Sequence, residues 1–473
     1  MRYVLNRKYR FRGWNRKPAC LLDTETMDVR SMRISSFILL MKCDGAHDID
    51  PEALSETEQK DLKSFLENGW IQIAQPGQLL KEEQVYRTYP APYRREAQWS
   101  VTGACNLNCR HCFMSAPHVR HGVPSQEELL RIADQLAECG VFHVCITGGE
   151  PLIRKDFMTI IDALNEREIQ VRAIYTNGWL IDENFLDELE ARKVHPQFQL
   201  SFDGVGCHDF LRGVEGSEER AVRALRLLKK RGYEVSVSMC LHKKNAGSIR
   251  RTVKFLAETG VRSVKISTIS RLGEWADRDL SGLQMTEEEA YEAVMNYIPQ
   301  YFEDDAPVSV LLCGCFQYRR EDEVWDLVPV WETGSVTDRS YACQTLQKSF
   351  YIGADGMVTP CMGMADTESA GRFPNLKELP LSLLLNDSAY VSYAEAIVGD
   401  VRDGNEQCRS CEYVSCCNGG CRQNALVSSQ NYYAPDPVVC MFHKHGWYER
   451  MREVIEPAYE AYMRRRKRSD SRQ

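Results

Sequence analysis

The sequence predicts an α/β fold built on a partial (β/α)6 TIM barrel. Two observations carry this prediction. From about residue 93, six β-rich runs of five to seven residues alternate with segments whose apolar residues recur at helical spacing. Strands that alternate with helices form parallel βα units, and six such units fall two short of a closed eight-stranded barrel.

The elements of this barrel follow one another along residues 93–305. The predicted strands are Gln98–Thr102, Phe142–Thr147, Val171–Thr176, Phe198–Phe202, Glu234–Cys240 and Ser263–Ile269. The predicted helices are Gln126–Glu138, Phe157–Glu166, Glu183–Arg192, Glu218–Arg231 and Ser248–Glu258. Ser125 and Glu128 form a capping box at the start of the first helix, and Gly140 is a suitable C-terminal stop.

Residues 1–92 are predicted to form a smaller unit of their own. Apolar stretches at Ala19–Leu22 and Met32–Leu40 precede a helical segment that ends at Gly69, and Trp70–Ala74 has the pattern of a short strand. This order, a strand pair followed by short helices and an extended edge, predicts a winged-helix-like domain.

The rest of the chain loses the strand–helix alternation. Residues 306–450 are predicted to form a cysteine-rich domain, because cysteines recur there at short spacings. Residues 451–473 form a basic C-terminal tail, which we interpret as a solvated helix end or a disordered segment.

Composition and charge exclude several classes of protein. The chain has 473 residues, 43% of them hydrophobic, and a net charge of −8, which gives no reason to expect nucleic acid as a partner. No apolar run approaches the length of a membrane span, and the basic N-terminus lacks the apolar core of a secretory signal. Nineteen cysteines in a chain without these signals favour metal or redox chemistry in the cytoplasm, where disulfides do not persist.

A triad of cysteines carries the strongest chemical signal. Cys105, Cys109 and Cys112 form a CxxxCxxC pattern in the loop after the first barrel strand. Most all-cysteine iron–sulfur clusters use four protein thiolates, so a set of three can hold three irons of a cubane cluster and leave the fourth iron open. A zinc site, or chance in a cysteine-rich chain, is the alternative interpretation.

The CxxxCxxC spacing resembles the signature of the radical S-adenosylmethionine (SAM) enzymes. In that family the open iron chelates SAM, and an electron from the cluster cleaves SAM to methionine and a 5′-deoxyadenosyl radical. The resemblance implies SAM as a cofactor and an open six-stranded barrel. His111 stands where many relatives have an aromatic residue, and Cys-Arg-His-Cys is the variant of the pyrroloquinoline-quinone and haem-pathway branch.

Residues at the ends of later strands also match motifs of that family. Gly148-Gly149-Glu150 after the second strand resembles the GGE motif, which contacts the SAM amino group, and Ser201 and Asp203 match positions near the ribose and methionine. Arg212 is implied to neutralise the SAM carboxylate or to bind substrate, with a structural salt bridge as an equal alternative. Weaker matches are Asn245, Arg271 and Gly273. The implied SAM-binding residues are Gly148, Gly149, Glu150, Asn177, Ser201, Asp203 and Arg212.

Seven C-terminal cysteines form a second array, whose spacing resembles the SPASM domain, an extension of radical SAM enzymes that binds two auxiliary four-iron clusters. A structural zinc ribbon is the alternative. The resemblance implies two groups of ligands, Cys343, Cys361 and Cys421 for the first auxiliary cluster, and Cys408, Cys411, Cys417 and Cys440 for the second. With the triad, this makes three [4Fe-4S] clusters.

One ligand of the first auxiliary cluster does not match the family pattern. Its usual fourth cysteine lies a few residues upstream of Cys343, where residues 334–342 contain none. Either Cys313 or Cys315 reaches in from a longer loop, or the iron is open to substrate. Cys416 breaks the spacing and is interpreted as a bystander. The remaining cysteines are interpreted as small buried apolar residues.

Segments of the first 92 residues resemble the RiPP-recognition element, a leader-peptide-binding domain fused to many enzymes that modify ribosomally made peptides. The resembling segments are Leu21–Asp23, Phe37–Gly45 and Phe65–Trp70. A generic winged helix, or a purely structural extension, is the alternative.

These resemblances imply a radical SAM/SPASM oxidoreductase that abstracts hydrogen from a precursor peptide with a leader and forms a thioether or C–C cross-link. A flavodoxin- or ferredoxin-type protein is the expected electron donor, and no membrane or nucleic acid is expected as a partner. The alternatives are an anaerobic sulfatase-maturating enzyme, a haem-pathway radical SAM enzyme and, in another class, a non-enzymatic iron–sulfur electron carrier. The sequence assigns no general acid or base.

Overall fold

The computed structural model describes residues 1–270, 272–277, 282–365 and 373–470. Arg271, one of the loosely matching residues, lies outside them. Within this described part, the chain divides into two compact units. The first comprises Met1–Arg94 with Glu138–Val141 and Leu381–Asn386, and the second comprises the remainder.

Seven strands and two helices precede residue 95. They are β1 (Arg2–Leu5), β2 (Tyr9–Asn15), β3 (Lys17–Asp23), β4 (Val29–Ser31), α1 (Ile34–Met41), β5 (Asp44–Asp48), α2 (Glu56–Glu67), β6 (Ile71–Ile73) and β7 (Arg87–Pro92).

Strands and helices alternate in the central part of the chain. They are β8 (Glu96–Ser100), α3 (Gln126–Glu138), β9 (His143–Thr147), α4 (Phe157–Glu166), β10 (Gln170–Thr176), α5 (Glu183–Ala191), β11 (Gln197–Ser201), α6 (His208–Arg212), α7 (Ser217–Lys230), β12 (Val235–Leu241), α8 (Ile249–Glu258), β13 (Ser263–Thr268), α9 (Glu274–Asp277) and α10 (Glu287–Glu303).

The C-terminal part contains short strands and then helices. They are β14 (Ser309–Leu312), β15 (Phe316–Arg319), β16 (Val324–Leu327), β17 (Ser349–Ile352), β18 (Val358–Thr359), α11 (Leu381–Leu384), α12 (Ser388–Ala394), α13 (Val398–Asp403), α14 (Glu406–Arg409), α15 (Arg422–Ser429), α16 (Pro437–Lys444) and α17 (Trp447–Asp470).

The first unit contains a four-stranded sheet of order β4-β3-β2-β7 and a three-stranded sheet of order β5-β1-β6. Its core joins the sheets to the helices: Phe11 of β2 meets Phe37 of α1 edge to face, with ring centroids 5.4 Å apart. The prediction of a strand pair before the first helix is wrong, since β1–β4 all precede α1. The arginines between Tyr9 and Trp14 made β2 look like a basic terminus, although its aromatic residues are buried.

The second unit is organised around an eleven-stranded sheet of order β16-β15-β14-β13-β12-β11-β10-β9-β8-β17-β18. The six predicted barrel strands are β8–β13, consecutive in this sheet and parallel. The five predicted helices agree with α3, α4, α5, α7 and α8 to within one residue at each end. The predicted α/β partial barrel is therefore confirmed.

The sheet extends beyond the six predicted strands without closing. β14 pairs in parallel with β13, and β17 pairs in parallel with β8. Antiparallel strands then follow on each side, and β16 and β18 form the two ends of the sheet. The barrel strands have apolar, fully buried side chains, such as Val144, Ile174 and Leu200, because helices cover parallel strands.

The basic tail is the end of α17, which packs on the second unit. Tyr462 is 1% exposed and lies in an aromatic cluster with Phe302 of α10, at 5.5 Å between ring centroids. Arg465 donates to the Phe302 carbonyl oxygen at 2.6 Å. Of the two alternatives for this segment, the structure therefore has a helix end, and one face of it is buried. Among the described residues, no helix is long and apolar enough to cross a membrane.

Candidate active site and metal centres

The cysteine triad lies in the loop between β8 and α3. Backbone N–H groups point at two of its sulfurs: Leu107 N donates to Cys105 Sγ at 3.4 Å, and Ala116 N donates to Cys112 Sγ at 3.3 Å. Such N–H···S bonds stabilise thiolates. The loop therefore has the donors that a set of metal-bound cysteines needs.

The three thiols of the triad lie close enough for the charge of one thiolate to raise the pKa of another. The pKa of Cys105 is raised to about 12, first by burial and then by the neighbouring groups Glu150, Cys109 and Cys112. The thiolate is the metal-binding form, so in the absence of iron these thiols stay protonated, and iron binding must displace their protons. Three convergent, buried thiols fit an iron–sulfur cluster held from one loop.

Arg212, at the end of α6, supports the triad from the side. Its Nη1 donates to Cys109 Sγ at 3.7 Å, and its Nε donates to Asp203 Oδ2 at 2.7 Å. Burial opposes the charged form of Arg212, but Asp203 outweighs burial and raises its pKa above the usual value. The structure thus contains the salt bridge of Arg212, beside a cysteine of the triad, and the predicted contact of Arg212 with SAM or substrate stays a prediction.

Asp203 is completely buried, and protein groups engage both of its carboxylate oxygens. Besides Arg212, Cys240 N donates to Oδ1 at 3.0 Å. Burial alone would raise the pKa of Asp203, but the charge of Arg212 and a hydrogen bond with His208 lower it well below its usual range. The carboxylate of Asp203 therefore positions Arg212, and its predicted place near the ribose and methionine of SAM stays a prediction.

Ser201, the last residue of β11, is available to a ligand. Its side chain is half-buried, and no described residue forms a hydrogen bond with its hydroxyl group. The predicted SAM contact of Ser201 thus stays a prediction that this geometry allows.

The carboxylate of Glu150 joins the ends of two strands. It accepts hydrogen bonds from Thr176 Oγ1 at 2.8 Å, from Asn177 N at 2.7 Å and from Leu152 N at 3.1 Å. Burial raises its pKa to about 7, and these hydrogen bonds oppose that shift. Glu150 therefore fixes the turn after β9 against the end of β10, and its contact with the SAM amino group stays a prediction.

The GGE turn lies directly against the cysteine loop. Gly149 N donates to the Thr102 carbonyl oxygen at 2.8 Å, and a Cβ at Gly149 would lie 2.2 Å from the Ala104 carbonyl oxygen. Only glycine fits at this distance. Asn177 reaches the same loop, where its Nδ2 donates to Asn106 Oδ1 at 2.8 Å. These contacts bring Gly148, Gly149, Glu150 and Asn177 to the triad.

Sequence reasoning missed a buried polar network behind the triad. His208 and His242 are fully buried. Among the described residues, none forms a hydrogen bond with the Nε2 atom of either ring or with His111 Nδ1. Burial, followed by the charge of Arg212, lowers the pKa of His111 to about 3, so its ring is neutral. Cys240, interpreted as an apolar filler, donates its N–H to the network. The members of this network come from different segments of the chain, so no motif in the sequence indicated that they lie together.

The cysteines assigned to the first auxiliary cluster come together. Burial raises the pKa of Cys361 to about 12, with Cys421 and Cys343 as the next contributors. Cys313 lies elsewhere, in the turn between β14 and β15, where Glu287 and Cys240 are the charged neighbours that act on it.

Cys315 is fully buried in the same turn as Cys313, and its thiol donates to the Leu312 carbonyl oxygen at 3.2 Å. The fourth ligand of the first auxiliary cluster, whether Cys313, Cys315 or none, therefore stays a prediction.

The four cysteines assigned to the second auxiliary cluster line one small cavity of about 30 Å³, together with Asp436 and Lys444. Gly419 N donates to Cys417 Sγ at 3.4 Å, and Asn405 Nδ2 donates to Cys408 Sγ at 3.6 Å. A single chamber with four converging thiols fits a second metal centre. The cavity is lined by Cys408, Cys411, Cys417 and Cys440.

Comparisons with known families agree with these two regions. Residues 99–256 match the radical SAM superfamily, and residues 343–412 match the SPASM iron–sulfur cluster-binding domain.

Two characterised relatives match most of the chain. It is 26% identical to the PqqA peptide cyclase of Granulibacter bethesdensis over 351 residues, which cover 73% of this chain and 87% of that protein. It is 24% identical to the AdoMet-dependent heme synthase of Methanosarcina barkeri over 356 residues, which cover 72% of this chain and 94% of that protein.

A solved structure shares the fold over nearly the whole chain. The structure of Streptococcus suis SuiB bound to the precursor peptide SuiA superposes with a TM-score of 0.64 at 17% identity, covering 93% of this chain and 99% of that one.

The protein carries a radical SAM domain followed by a SPASM domain. It is a radical SAM enzyme, and these domains imply bound iron–sulfur clusters and SAM. The comparisons therefore do not favour the non-enzymatic electron carrier considered from the sequence.

Proposed function

We propose that this enzyme is a peptide maturase that abstracts hydrogen from a ribosomally made precursor and forms a thioether or C–C cross-link. The observation that carries the proposal is the combination of the triad with a separate N-terminal unit of about the first 94 residues. A relative is named as a cyclase of the peptide PqqA, and SuiB, which shares this fold, was solved with its precursor peptide.

The side chains around the triad have distinct roles in this proposal. When bound, a four-iron cluster with an open iron supplies the electron that cleaves SAM to methionine and a 5′-deoxyadenosyl radical. Arg212 holds Cys109 by an N–H···S bond and is itself held by Asp203. Gly149 and Glu150 keep the SAM-facing turn against the loop, and the free hydroxyl of Ser201 contacts SAM. The protein thus supplies binding and orientation.

The proposal includes three [4Fe-4S] clusters, one on the triad and two in the SPASM domain. It also includes a flavodoxin- or ferredoxin-type electron donor and a cytoplasmic location. Its support is the separation of ten cysteines into three groups, together with the free state of all nineteen thiols.

A leader peptide is proposed to bind the N-terminal unit by strand addition. β4 is an end strand of its sheet, and the exposed residues Ile34 and Ile38 follow it on α1. Strand addition obtains affinity from main-chain hydrogen bonds and selectivity from side-chain pockets. The edge of β4 and the apolar side chains beside it offer both.

One backbone N–H group can be removed to weaken leader binding without breaking the hydrogen bonds that hold β4 in its sheet. At the two ends of β4, Met32 N donates to the Ala19 carbonyl oxygen, and the Asp28 carbonyl oxygen accepts from Asp23 N. Because antiparallel strands alternate the direction of their peptide groups, Ser31 N points to the free edge. Ser31→Pro removes this donor while keeping the inward hydrogen bonds.

The test compares Ser31→Pro with Ser31→Ala in the full-length reconstituted enzyme. The substrate is the precursor peptide encoded beside the gene, and its loss of two hydrogen atoms is followed by mass spectrometry. We expect Ser31→Pro to slow modification of the full precursor and to leave SAM cleavage without peptide unchanged, while Ser31→Ala behaves as wild type. Equal modification rates in all three proteins would remove the leader-binding role.

A haem-pathway activity is the second candidate, favoured by the relative named as a heme synthase. Such an activity acts on a porphyrin and has no use for a peptide edge. Incubation of the reduced enzyme with SAM and an iron porphyrin, followed by mass spectrometry, tests it. Conversion of the porphyrin without any change in the precursor would replace the peptide proposal.

A further inference from the structure

A second concave site lies in the C-terminal part of the second unit, apart from the cysteine chambers. It is a groove of about 580 Å³ between three segments: β16 with its following loop, the loop that carries Tyr413, and the first turns of α17. Four aromatic side chains line it: Trp325, Trp331, Tyr413 and Tyr448. No step of the proposed chemistry uses these residues.

The walls of this aromatic groove are fixed to each other. Trp331 N donates to the Cys416 carbonyl oxygen at 2.9 Å, so the loop after β16 is hydrogen-bonded to the loop that contains Tyr413 and Cys416. The ring of Tyr413 stacks on buried His443, with centroids 4.9 Å apart and an interplanar angle of 25°. His443 Nε2 donates to the Pro329 carbonyl oxygen at 3.3 Å. The groove is therefore formed before any ligand arrives.

The aromatic groove carries an excess of negative charge. Arg452 is the one lysine or arginine among the described residues that line it, and it already donates to Glu456 Oε1 at 2.7 Å. Asp326 likewise pairs with Arg319. Burial lowers the pKa of His443, so that this ring adds no charge at neutral pH.

Two further carboxylates of the groove have no cation of their own. Among the described residues, none forms an ion pair or hydrogen bond with the carboxylates of Glu332 or Glu449, and both side chains are exposed. Aromatic faces with unpaired carboxylates attract cations, through the ring quadrupole and through direct charge. The electrostatic complement of this groove is therefore a cationic group.

We propose that the aromatic groove binds a lysine or arginine side chain of the substrate peptide, next to an apolar residue. The volume exceeds that of one side chain, which favours a segment of polypeptide over a free amine. An acidic protein partner would be repelled by the carboxylates. This inference rests on the proposed peptide substrate and specifies its chemistry: a basic, partly apolar segment held outside the catalytic loop.

The test measures binding without catalysis. The full-length reconstituted enzyme is titrated against a short fluorescein-labelled peptide of alternating leucine and lysine, and fluorescence anisotropy gives the Kd. A second probe has the same sequence with every lysine acetylated, which keeps the apolar surface and removes the charge. We expect the charged probe to bind more tightly, and its binding to weaken as salt is raised.

Two double variants locate the binding. Glu332→Gln/Glu449→Gln should raise the Kd of the charged probe by about fivefold and flatten its salt dependence. Glu219→Gln/Glu258→Gln, which neutralises two exposed carboxylates on barrel helices, should bind as wild type. Iron content and SAM cleavage should be the same in all three proteins, because neither pair lies at the cysteines.

Each result decides the proposal. Equal binding of the two probes, equal Kd values for wild type and Glu332→Gln/Glu449→Gln, or no binding of either probe would overturn it. The outcome is independent of the proposed function. Charge-dependent binding of the probe without modification of any precursor would remove the maturase assignment and keep the proposal for the groove. A modified precursor, with equal Kd values for wild type and the groove variant, would keep the maturase assignment and remove the proposal for the groove.

Discussion

The buried pair of Asp203 and Arg212 offers the sharpest test of how this site is held together. Asp203 is fully buried and Arg212 is 8% exposed. The change Asp203→Asn keeps the shape of the side chain and an oxygen for Cys240 N, but it removes the negative charge. A buried guanidinium is then left without its counter-ion.

The expected loss of stability follows from this burial. A charge-assisted hydrogen bond contributes roughly 1.5–3 kcal/mol, and removal of one partner from a buried ion pair costs about 3–5 kcal/mol, because the other charge remains desolvated. We expect Asp203→Asn to lower the free energy of unfolding of the second unit by about 3–5 kcal/mol. Urea unfolding of the full chain, followed by circular dichroism, measures it.

An exposed aspartate–arginine pair is the matched control. Asp162 contacts Arg192 at 2.7 Å, but the aspartate side chain is 46% exposed. Since surface ion pairs contribute only about 0–1 kcal/mol, Asp162→Asn should lower the free energy of unfolding by no more than that. If Asp203→Asn loses as little as Asp162→Asn, the argument from desolvation is refuted.

The pH dependence of the same variant has a definite sign. The folded-state pKa of Asp203 lies below its usual value, since the charge of Arg212 outweighs burial. The ionised pair therefore makes its full contribution to the free energy of unfolding above the unfolded-state pKa of Asp203, about 4. This contribution is lost as the pH falls from that value towards the folded-state pKa. The stabilities of wild type and Asp203→Asn should accordingly converge on acidification. A constant difference down to low pH would contradict the assignment.

Three further outcomes test the metal centres and the GGE turn. Replacement of Cys105, Cys109 and Cys112 by alanine should abolish 5′-deoxyadenosine formation and leave the C-terminal iron bound; undiminished cleavage would exclude the triad. The anaerobically reconstituted wild type should contain about twelve irons, whereas about four irons with stoichiometric zinc would identify a zinc ribbon. The pKa of Glu150 is raised to about 7, so the free energy of unfolding should fall as the pH rises from about 4.5 to 7. Glu150→Gln should lack this pH dependence in urea unfolding. An unchanged pH dependence would show that another group causes it.

The sequence was sufficient for the regular part of the barrel. Its strands and helices are separated by clear turns, and their apolar residues repeat with the period of each element, as in Phe157–Glu166. The four-residue strand Ser349–Ile352 gave no comparable pattern, because it is entirely buried and pairs with a strand some 250 residues away. Such pairings depend on the tertiary fold.

The chemistry divides in the same way. Cysteine spacing indicated the triad, because its three cysteines lie in one loop and are therefore close in the sequence. The two auxiliary groups were implied by the resemblance to the SPASM domain. The contacts of the Asp203 carboxylate could not be predicted from the sequence, because its partners Arg212 and Cys240 come from two other segments. A motif match identifies the residue type at a strand end, but it does not say whether the carboxylate faces a ligand or the protein.

Two glycines explain why the CxxxCxxC pattern is insufficient by itself to form the site. A Cβ at Gly149 or at Gly213 would lie 2.2 Å from a carbonyl oxygen of the cysteine loop, that of Ala104 or Asn108 respectively. The loop is therefore shaped by backbone segments that follow β9 and α6, and any side chain at either glycine would displace it. Arg212, the neighbour of Gly213, then reaches Cys109 from the same segment. The geometry of the thiols is thus set by residues up to about a hundred positions downstream, at the carboxyl ends of the parallel strands where βα enzymes place their active sites.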